Sequence, residues 1–509
     1  MEQFDDAVLK RTHSCGQLRG SDIGGHARLC GWVRSYRDHG GVVFIDLRDR
    51  DGVTQVVYDL PNSDDAKATA MYELARSLRN EWVISVAGKV RSRGEGRVNP
   101  KLPTGEVEML GEDLVVLNKS DTAPFWPDEY ASISEDMRLR YRYIDIRRPE
   151  MTRALRMRHQ IARSMRTILD AADFVEVETP FLTKSTPEGA RDFLVPSRMQ
   201  QGAFYALPQS PQIFKQILMV AGMEKYYQIV RCFRDEDLRA DRQPEFTQLD
   251  IEMSFCTEQD VMVVVNKIMA AVCKVAGKPF PDEIPVITYA DAVEHYGIDR
   301  PDMRFDLLLK DVSKIVAPCE FKVFSQALEA GGIVKGICIP GGAKLTRKEI
   351  DDYTRVVTDL GAKGMAWFKL ENGQPAGGIA KFLTSEILKQ LCEIFGGKDG
   401  DIFFFLADTA AQVNKSLYAL RVKLGKDLKL YSDDAFSWCW VVDFPMFDYS
   451  AEDKRWVAMH HPFTSPQPQD LDKMESDPGA VRARAYDIVC NGMELGGGSI
   501  RIHNTDVQQ

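Results

Sequence analysis

The stretch from Tyr226 to Asp250, YYQIVRCF followed by RDEDLRADRQPEF and TQLD, decides how this chain is read. Its first eight residues are rich in aromatic and β-branched side chains. Beyond the charged middle, Thr247, Leu249, Ile251, Met253 and Phe255 alternate with Gln248, Asp250, Glu252 and Ser254. Period-two alternation marks a half-buried strand. Two such strands around an arginine-laden loop predict an antiparallel hairpin whose polar face carries Gln248, Asp250 and Glu252. That face suits a small polar ligand. Arg234 and Arg242 suit an anion such as a triphosphate. A plain solvated hairpin would carry the same pattern, so the other segments must separate the two.

A chain of 509 residues holds about three domains of roughly 150 residues. Lys and Arg number 65 against 75 Asp and Glu, a net charge of −10. That excludes a wholly electrostatic, histone-like binder but leaves room for local basic patches. The ten cysteines are scattered, with no C-x-x-C and no zinc spacing, which suits a reducing, cytoplasmic setting. MEQFDDAVLK has no apolar signal core, and no apolar run reaches membrane-spanning length.

Residues 14–118 read as five strands, 27–35, 42–48, 54–59, 83–91 and 106–117, with one helix at 65–78. Five strands with a helix between the third and fourth is the plan of an oligonucleotide-binding barrel. We therefore expect a multidomain chain. An all-β barrel at 1–118 and a linker at 119–145 come first. An α+β domain with an antiparallel sheet follows at 146–303 and resumes at 409–509. Between them lies an inserted α+β domain at 304–408, free of the charged motifs on either side. A long helix is expected from about Pro149 to Ala172.

Three further motifs carry chemistry. In Leu207-Pro-Gln-Ser-Pro-Gln-Ile-Phe-Lys215, Ser210 reads as an N-cap and Pro211 as the first helical residue. Gln212 and Lys215 then share one face of the first turn and could receive a carboxylate; an ordinary capped helix is the alternative. In Tyr486–Arg501, Asn491-Gly492 is a two-residue hairpin turn. It pairs Cys490 with Met493 and Val489 with Glu494, so Asp487 and Glu494 become diagonal neighbours suited to Mg²⁺. Gly496, Gly497 and Gly498 allow close backbone approach, and Arg501 offers a fork for a carboxylate. His460-His461-Pro-Phe-Thr shows no third ligand at metal spacing. In the barrel, Arg37 on a loop, Phe44 and Gln55 fit base stacking with polar readout, although Phe44 could equally be core.

Together, the charged hairpin, QSPQIFK, HHPFT and ELGGGSIRIH resemble the bacterial-type aspartyl-tRNA synthetases, which are class II synthetases, over essentially the whole chain. The resemblance implies an OB-fold anticodon-binding domain, a hinge, a class II catalytic domain and the inserted GAD-type domain. It implies ATP as a substrate, Mg²⁺, L-aspartate, tRNA(Asp) and a cytoplasmic homodimer with Pro180 at the interface. It places Arg234 against both the ATP α-phosphate and the amino acid, with Asp235, Glu236 and Gln243 on the ATP side. Glu188, Ser210, Gln212, Lys215, Gln248, Asp250, His460 and Arg501 would surround aspartate. Asp487 and Glu494 would hold the Mg²⁺ of ATP, and Arg37, Phe44 and Gln55 would touch the anticodon. His39 hints that tRNA(Asn) is charged too. Lys215 with Arg501 disfavours asparagine or lysine as substrate. The family's third motif, a glycine-rich segment with an arginine for ATP, has no counterpart before Gln509, and Gly341–Arg347 cannot replace it. The expectation is therefore an aspartate–tRNA ligase that charges tRNA with aspartate at the expense of ATP, in a chain that is truncated or lacks part of its ATP site; the alternative is a non-catalytic tRNA-binding fragment.

Overall fold

The alternation near the N-terminus closes into a barrel. Its strands are β1 (His26–Asp38), β2 (Val42–Arg48), β3 (Val53–Asp59), β4 (Val83–Ser92) and β5 (Val107–Asn118), with α1 (Ala66–Ser77) between β3 and β4. The order is β1-β2-β3-β5-β4, closed by β1 against β4. Val43, Ile45 and Leu47 point inward, and Tyr72 and Ala75 of α1 join the same core. A register shift falls between Ala87 and Gly88. A Cβ at Gly88 would stand 1.9 Å from the Leu110 carbonyl oxygen, so the bend admits no side chain there. Arg37, expected on a loop, lies within β1, which runs on to Asp38.

This computed structural model describes residues 6–61, 65–127, 133–186, 189–237, 242–450 and 452–509. It forms two compact units, Met1–Gln160 and Ile161–Gln509. After the barrel come α2 (Glu135–Arg140), α3 (Arg142–Asp145) and α4 (Pro149–Ala171). Pro149 opens α4, where its fixed φ suits a helix start and no N–H is needed.

In the second unit, β6 (Val175–Glu176) and the hairpin β7 (Leu194–Pro196)–β8 (Phe204–Ala206) precede α5 (Gln212–Val220), β9 (Lys225–Phe233) and β10 (Glu245–Met253). The expected hairpin forms, with Arg231 opposite Thr247 and Gln228 opposite Asp250. It is shorter than the alternation suggested. Phe255 lies beyond the strand, with φ 54° and 96% exposure. Next come α6 (Glu258–Ala276), β11 (Val286–Thr288) and α7 (Tyr289–Tyr296).

A separate five-stranded sheet then forms in the order β12-β13-β16-β14-β15. It comprises β12 (Lys310–Asp311), β13 (Ile333–Ile339), β14 (Ala366–Glu371), β15 (Gln374–Ala376) and β16 (Ile402–Asp408), with helices α8 (Ser313–Val316), α9 (Lys322–Glu329), α10 (Arg347–Thr358) and α11 (Ser385–Phe395). β16 is buried along Ile402–Leu406. The following helix, α12 (Ala410–Asp427), packs Val413, Leu417, Leu420 and Leu424 into the same core as Ile337 and Phe404. This piece therefore extends past Asp408, because the apolar stripe of α12 is buried on it. Arg421 of α12, fully buried, ties the piece back to its entry. It donates to the carbonyls of Leu307 (2.6 Å), Asp302 (2.8 Å) and Phe305 (2.7 Å).

The chain finishes with β17 (Trp438–Val442), β18 (Phe447–Ser450), β19 (Arg455–Ala458), α13 (Lys473–Ser476), β20 (Ala485–Cys490), β21 (Met493–Ser499) and α14 (Thr505–Gln508). β11, β17, β20 and β21 make one sheet in that order. Residues of β10 and β21 line a cavity of about 1290 Å³.

Candidate active site

The polar face of β10 forms one wall of the site. Opposite it, α5 starts one residue later than expected. Pro211, not Ser210, occupies the N-cap position, and no side chain caps the helix. Gln212 and Lys215 remain on one face of the first turn, both buried. Lys215 Nζ lies 2.7 Å from Asp250 Oδ1 and 3.4 Å from Glu252 Oε2. Burial pulls the ammonium down, but Asp250 and then Glu252 outweigh it and hold Lys215 above the usual lysine range. Burial pushes Asp250 up, which Lys215 only partly offsets. Lys215, expected to receive a carboxylate, thus enters the site already paired with two.

Arg501 supplies the next cation. Its Nη2 donates to Gln212 Oε1 (3.3 Å), its Nη1 to Ser499 Oγ (2.5 Å), and its guanidinium lies 5.0 Å from the Phe463 ring centre. The HHPFT and SIRI segments meet through backbone pairing. Ile502 N–H donates to the Phe463 carbonyl (2.8 Å) and Ser465 N–H to that of Ile500 (2.8 Å). His461 stacks on Phe463 at 5.0 Å. Desolvation, then Arg501, His460, Lys215 and Arg234, push its pKa down to about 4, so it is neutral at pH 7. His460 meets Phe444 edge-on at 5.0 Å, and desolvation lowers its pKa as well. No group of three or more metal-ligating side chains exists among the described residues.

Four buried polar atoms lack a partner among the described residues and belong to this cluster: Gln212 Nε2, Asp250 Oδ2, Arg501 Nε and His461 Nδ1. Buried polar groups left unpaired are costly. Amide and guanidinium donors beside a carboxylate acceptor match a small molecule that bears both carboxylate and ammonium. Gln248 accepts from the Cys232 thiol at 3.2 Å. Ser210 is partly buried just ahead of α5.

On the second hairpin, Cys490 pairs with Met493 and Val489 with Glu494, as expected. Asn491 and Gly492 both take positive φ, 52° and 80°, the demand of a type I′ turn. The expected diagonal is altered by a bulge. Leu495 is skipped, Ile488 pairs with Gly496 and Asp487 with Gly497. Asp487 and Glu494 are coupled nonetheless. Burial, then Glu494 and Asp299, push Asp487 up to about 8. Glu494 is raised by desolvation and Asp299, against the pull of Arg300, Arg234 and Arg242. Asp299 was missed because it sits in a short connector with no motif around it. A Cβ at Gly497 would stand 2.1 Å from Asp487 Oδ1, so the carboxylate rests against bare backbone.

The charged loop is pinned at its root. Arg234 N–H donates to the Pro244 carbonyl (2.9 Å), and its guanidinium lies 5.1 Å from the Phe246 ring centre. Asp235 N–H donates to the Arg191 carbonyl (3.0 Å), and Arg242 pairs with Glu236 at 3.5 Å. Gln243 and Pro180 are exposed. Glu188 lies outside the described residues.

In the first unit, Arg37, Phe44 and Gln55 do share a surface. Phe44 stands opposite Arg37 on the outer face of β2, between the inward Val43 and Ile45. The Arg37 guanidinium is 5.9 Å from its ring centre and 3.4 Å from Gln55 Oε1. His39 meets the ring edge-on at 5.7 Å. Gln55 also donates to Glu108 at 2.8 Å. Phe44 is therefore not barrel core.

Lys215→Met would leave Asp250 and Glu252 facing each other without the ammonium that bridges them. We expect a stability loss of roughly 3–5 kcal/mol at pH 7. A buried carboxylate with a raised pKa costs stability above that pKa and is relieved as pH falls through it. The deficit should therefore shrink from pH 7 to a more acidic pH. Urea unfolding of both proteins at the two pH values checks this; an equal deficit at both would refute an electrostatic origin.

Residues 134–509 match the model of the "tRNA synthetases class II (D, K and N)", and residues 27–117 that of an "OB-fold nucleic acid binding domain". The chain is 52% identical to the "Aspartate--tRNA(Asp/Asn) ligase" of Desulfatibacillum aliphaticivorans over 98% of its own length and 83% of that relative. It is 53% identical to the protein of the same name from Moorella thermoacetica (99% and 83%) and 52% identical to the "Aspartate--tRNA ligase" of Halalkalibacterium halodurans (99% and 84%). The solved asparaginyl-tRNA synthetase of Pyrococcus horikoshii shares the fold, with TM-score 0.57 and 16% identity over 98% of this chain and 85% of that one. The chain spans 83–84% of the length of these relatives, and their likeness along nearly the whole of it does not support the expectation of a non-catalytic fragment. The chain belongs to the class II tRNA synthetases of the D, K and N group.

Proposed function

We propose that this chain is an aspartate–tRNA ligase. It activates L-aspartate with ATP, giving aspartyl-adenylate and pyrophosphate, and passes the aspartyl group to the 3′-terminal ribose of tRNA(Asp). The observation that carries the choice of amino acid is the buried set Lys215, Asp250, Gln212 and Arg501 with its unpaired donors and acceptor. Relatives of that name, about half identical along nearly the whole chain, support it.

In this reading Arg501, with Gln212, takes the side-chain carboxylate of aspartate. Asp250 takes the ammonium through Oδ2, with Gln248, Ser210 and His460 around it; Glu188, expected to join them, lies outside the described residues. Lys215 pulls Asp250 toward its ionised form against burial. The α-carboxylate of aspartate attacks the α-phosphorus of ATP in line and pyrophosphate leaves, so no protein nucleophile is needed. Arg234 bridges the α-phosphate and the attacking carboxylate, where charge develops. Asp235, Glu236 and Gln243 lie on the nucleotide side. Asp487 and Glu494 fit Mg²⁺. They offer hard oxygen ligands; burial first and neighbouring carboxylates second push them up, and a divalent cation would relieve the second cause. When bound, the ion neutralises phosphate charge.

The barrel at 1–118 would hold the anticodon through Arg37, Phe44 and Gln55. The inserted GAD-type domain spans 304–408 together with α12, and 119–145 serves as the hinge. A homodimer through the Pro180 region is supported by Val175, Phe181 and Leu182, all exposed beside it. Charging of tRNA(Asn) as well is supported by the two relatives named for both tRNAs and by His39 against Phe44.

Arg501→Leu should abolish aspartate-dependent pyrophosphate exchange and leave ATP binding nearly intact. A buried substrate carboxylate without its partner costs several kcal/mol, roughly 3–5. Unchanged aspartate dependence would remove Arg501 from that role. Phe44→Ala should weaken tRNA binding by about 1–3 kcal/mol, the worth of one stacked base, without affecting adenylate formation. Lost adenylate formation would contradict it. Finally, purified tRNA(Asp) and tRNA(Asn), charged side by side with aspartate, should both be accepted; a strict preference for tRNA(Asp) would remove the dual specificity.

A further inference from the structure

The segment leading into α5 carries a buried polar side chain that the reaction above does not use. Gln209 is 1% exposed. Its Oε1 accepts from the Ala190 N–H at 3.1 Å. Its Nε2 donates to the Ala190 carbonyl at 2.8 Å and to Asp192 Oδ1 at 2.6 Å. The side-chain amide thus pairs with both polar atoms of one residue's backbone, as a neighbouring strand would. Asp192 Oδ2 in turn accepts from the Ser185 hydroxyl at 2.5 Å.

The backbones on either side of this clamp hold the root of the charged loop. Phe233 N–H donates to the carbonyl of Pro208, the residue before Gln209, at 3.0 Å. Asp235 N–H donates to the carbonyl of Arg191, the residue after Ala190, at 3.0 Å. Leu207 N–H donates to the Phe193 carbonyl at 2.9 Å, continuing the same pairing. Arg234 therefore sits between two rungs that end on two different strips of chain. Gln209 fastens those strips together, and three residues beyond it α5 presents Gln212.

We propose that Gln209 is a positioning residue for Arg234. It sets the spacing of the strips that hold Phe233 and Asp235, and so registers the nucleotide loop against the amino-acid pocket of α5. This rests on the assignment of Arg234 to the α-phosphate and the attacking carboxylate. A misplacement of about 1 Å at such a group costs on the order of a hundredfold in rate. A buried amide with a purely structural role would change stability and leave substrate affinities alone.

Gln209→Glu tests this with almost no change of shape. The new carboxylate cannot donate, and it faces the Ala190 carbonyl and the Asp192 carboxylate. Burial and Asp192 would raise its pKa. The defect should then be full above that raised pKa and shrink as pH falls through it, because the protonated form regains one donor. Aspartate-dependent pyrophosphate exchange is measured for the wild type and the variant from about pH 8.5 to 6, with urea unfolding alongside. We expect kcat/KM for both ATP and aspartate to fall about 10- to 100-fold at high pH and to recover toward wild type at low pH. Unchanged kcat/KM for both substrates, or a loss that tracks the unfolding midpoint with no recovery, would overturn the proposal. Should Gln209→Glu not fold, Asp192→Leu at its partly exposed position answers instead: a several-fold fall in kcat/KM for both substrates without loss of stability supports the clamp, and unchanged values refute it. A wild-type chain that shows no aspartate-dependent exchange would sink the ligase reading, a different failure from that of Gln209.

Discussion

The Lys215–Asp250–Glu252 cluster is the constraint on which the site depends. Two carboxylates on alternate positions of β10 would repel each other in a buried wall; one ammonium from α5 makes the wall possible. That ammonium can reach them only if α5 is docked with its first turn against the strand. The ion pairs therefore fix the helix, and the helix carries Gln212 to Arg501. Buried ion pairs are weak contributors to net stability but costly to break. What this one secures is an arrangement: a carboxylate with one free oxygen, and donors aimed elsewhere. With Arg501 the cations and carboxylates balance, and Arg234, whose charge also reaches His461, adds a positive surplus for an anion to neutralise.

Much of this was legible in the chain, for local reasons. Alternation in YYQIVRCF and TQLDIEM, the Asn-Gly turn and the five barrel strands are properties of short windows. The register near Asn491 follows from turn chemistry alone. What was not legible depends on long-range contact. The bulge at Leu495 arises where β21 must accommodate Asp487 against Gly497. Ser210 lost the N-cap because α5 begins where its face meets β10. Phe255 fits the alternation, yet the hairpin has already ended at Met253. Asp299 approaches Asp487 and Glu494 only because the connector from α7 folds over the Asn491-Gly492 turn, where a Cβ on Gly492 would stand 3.3 Å from the Cβ of Asp302. No window of sequence contains that meeting.

The barrel shows the same division. Its outer face follows from period two, which places Phe44 opposite Arg37 and Asp46 opposite Gln55. An aromatic ring flanked by a guanidinium, an imidazole and an amide is a surface on which a base can stack and be read at its edge. Glu108 and Asp46 occupy Gln55 and Arg37, so these polar groups are held in place by acidic neighbours.

The glycine triplet shows how a motif can be uniform in sequence and divided in cause. None of Gly496, Gly497 and Gly498 has positive φ, so conformational freedom explains none of them. Gly497 is required by Asp487, whose Oδ1 would lie 2.1 Å from any Cβ there. Gly498 is constrained by the Tyr486 ring, 3.0 Å from its own would-be Cβ. Gly496 has open space on that side. Two of the three thus serve cross-strand packing against β20, each beneath a residue that faces a different layer. Asp487 looks toward Glu494 and Asp299, and Tyr486 packs with Trp440 and Ile488. Gly496 leaves bare backbone on the strand that lines the cavity shared with β10. A ligand or a further strand could approach there without a side chain in the way, so it is the one glycine of the three whose requirement is set by what the site admits rather than by what the hairpin packs.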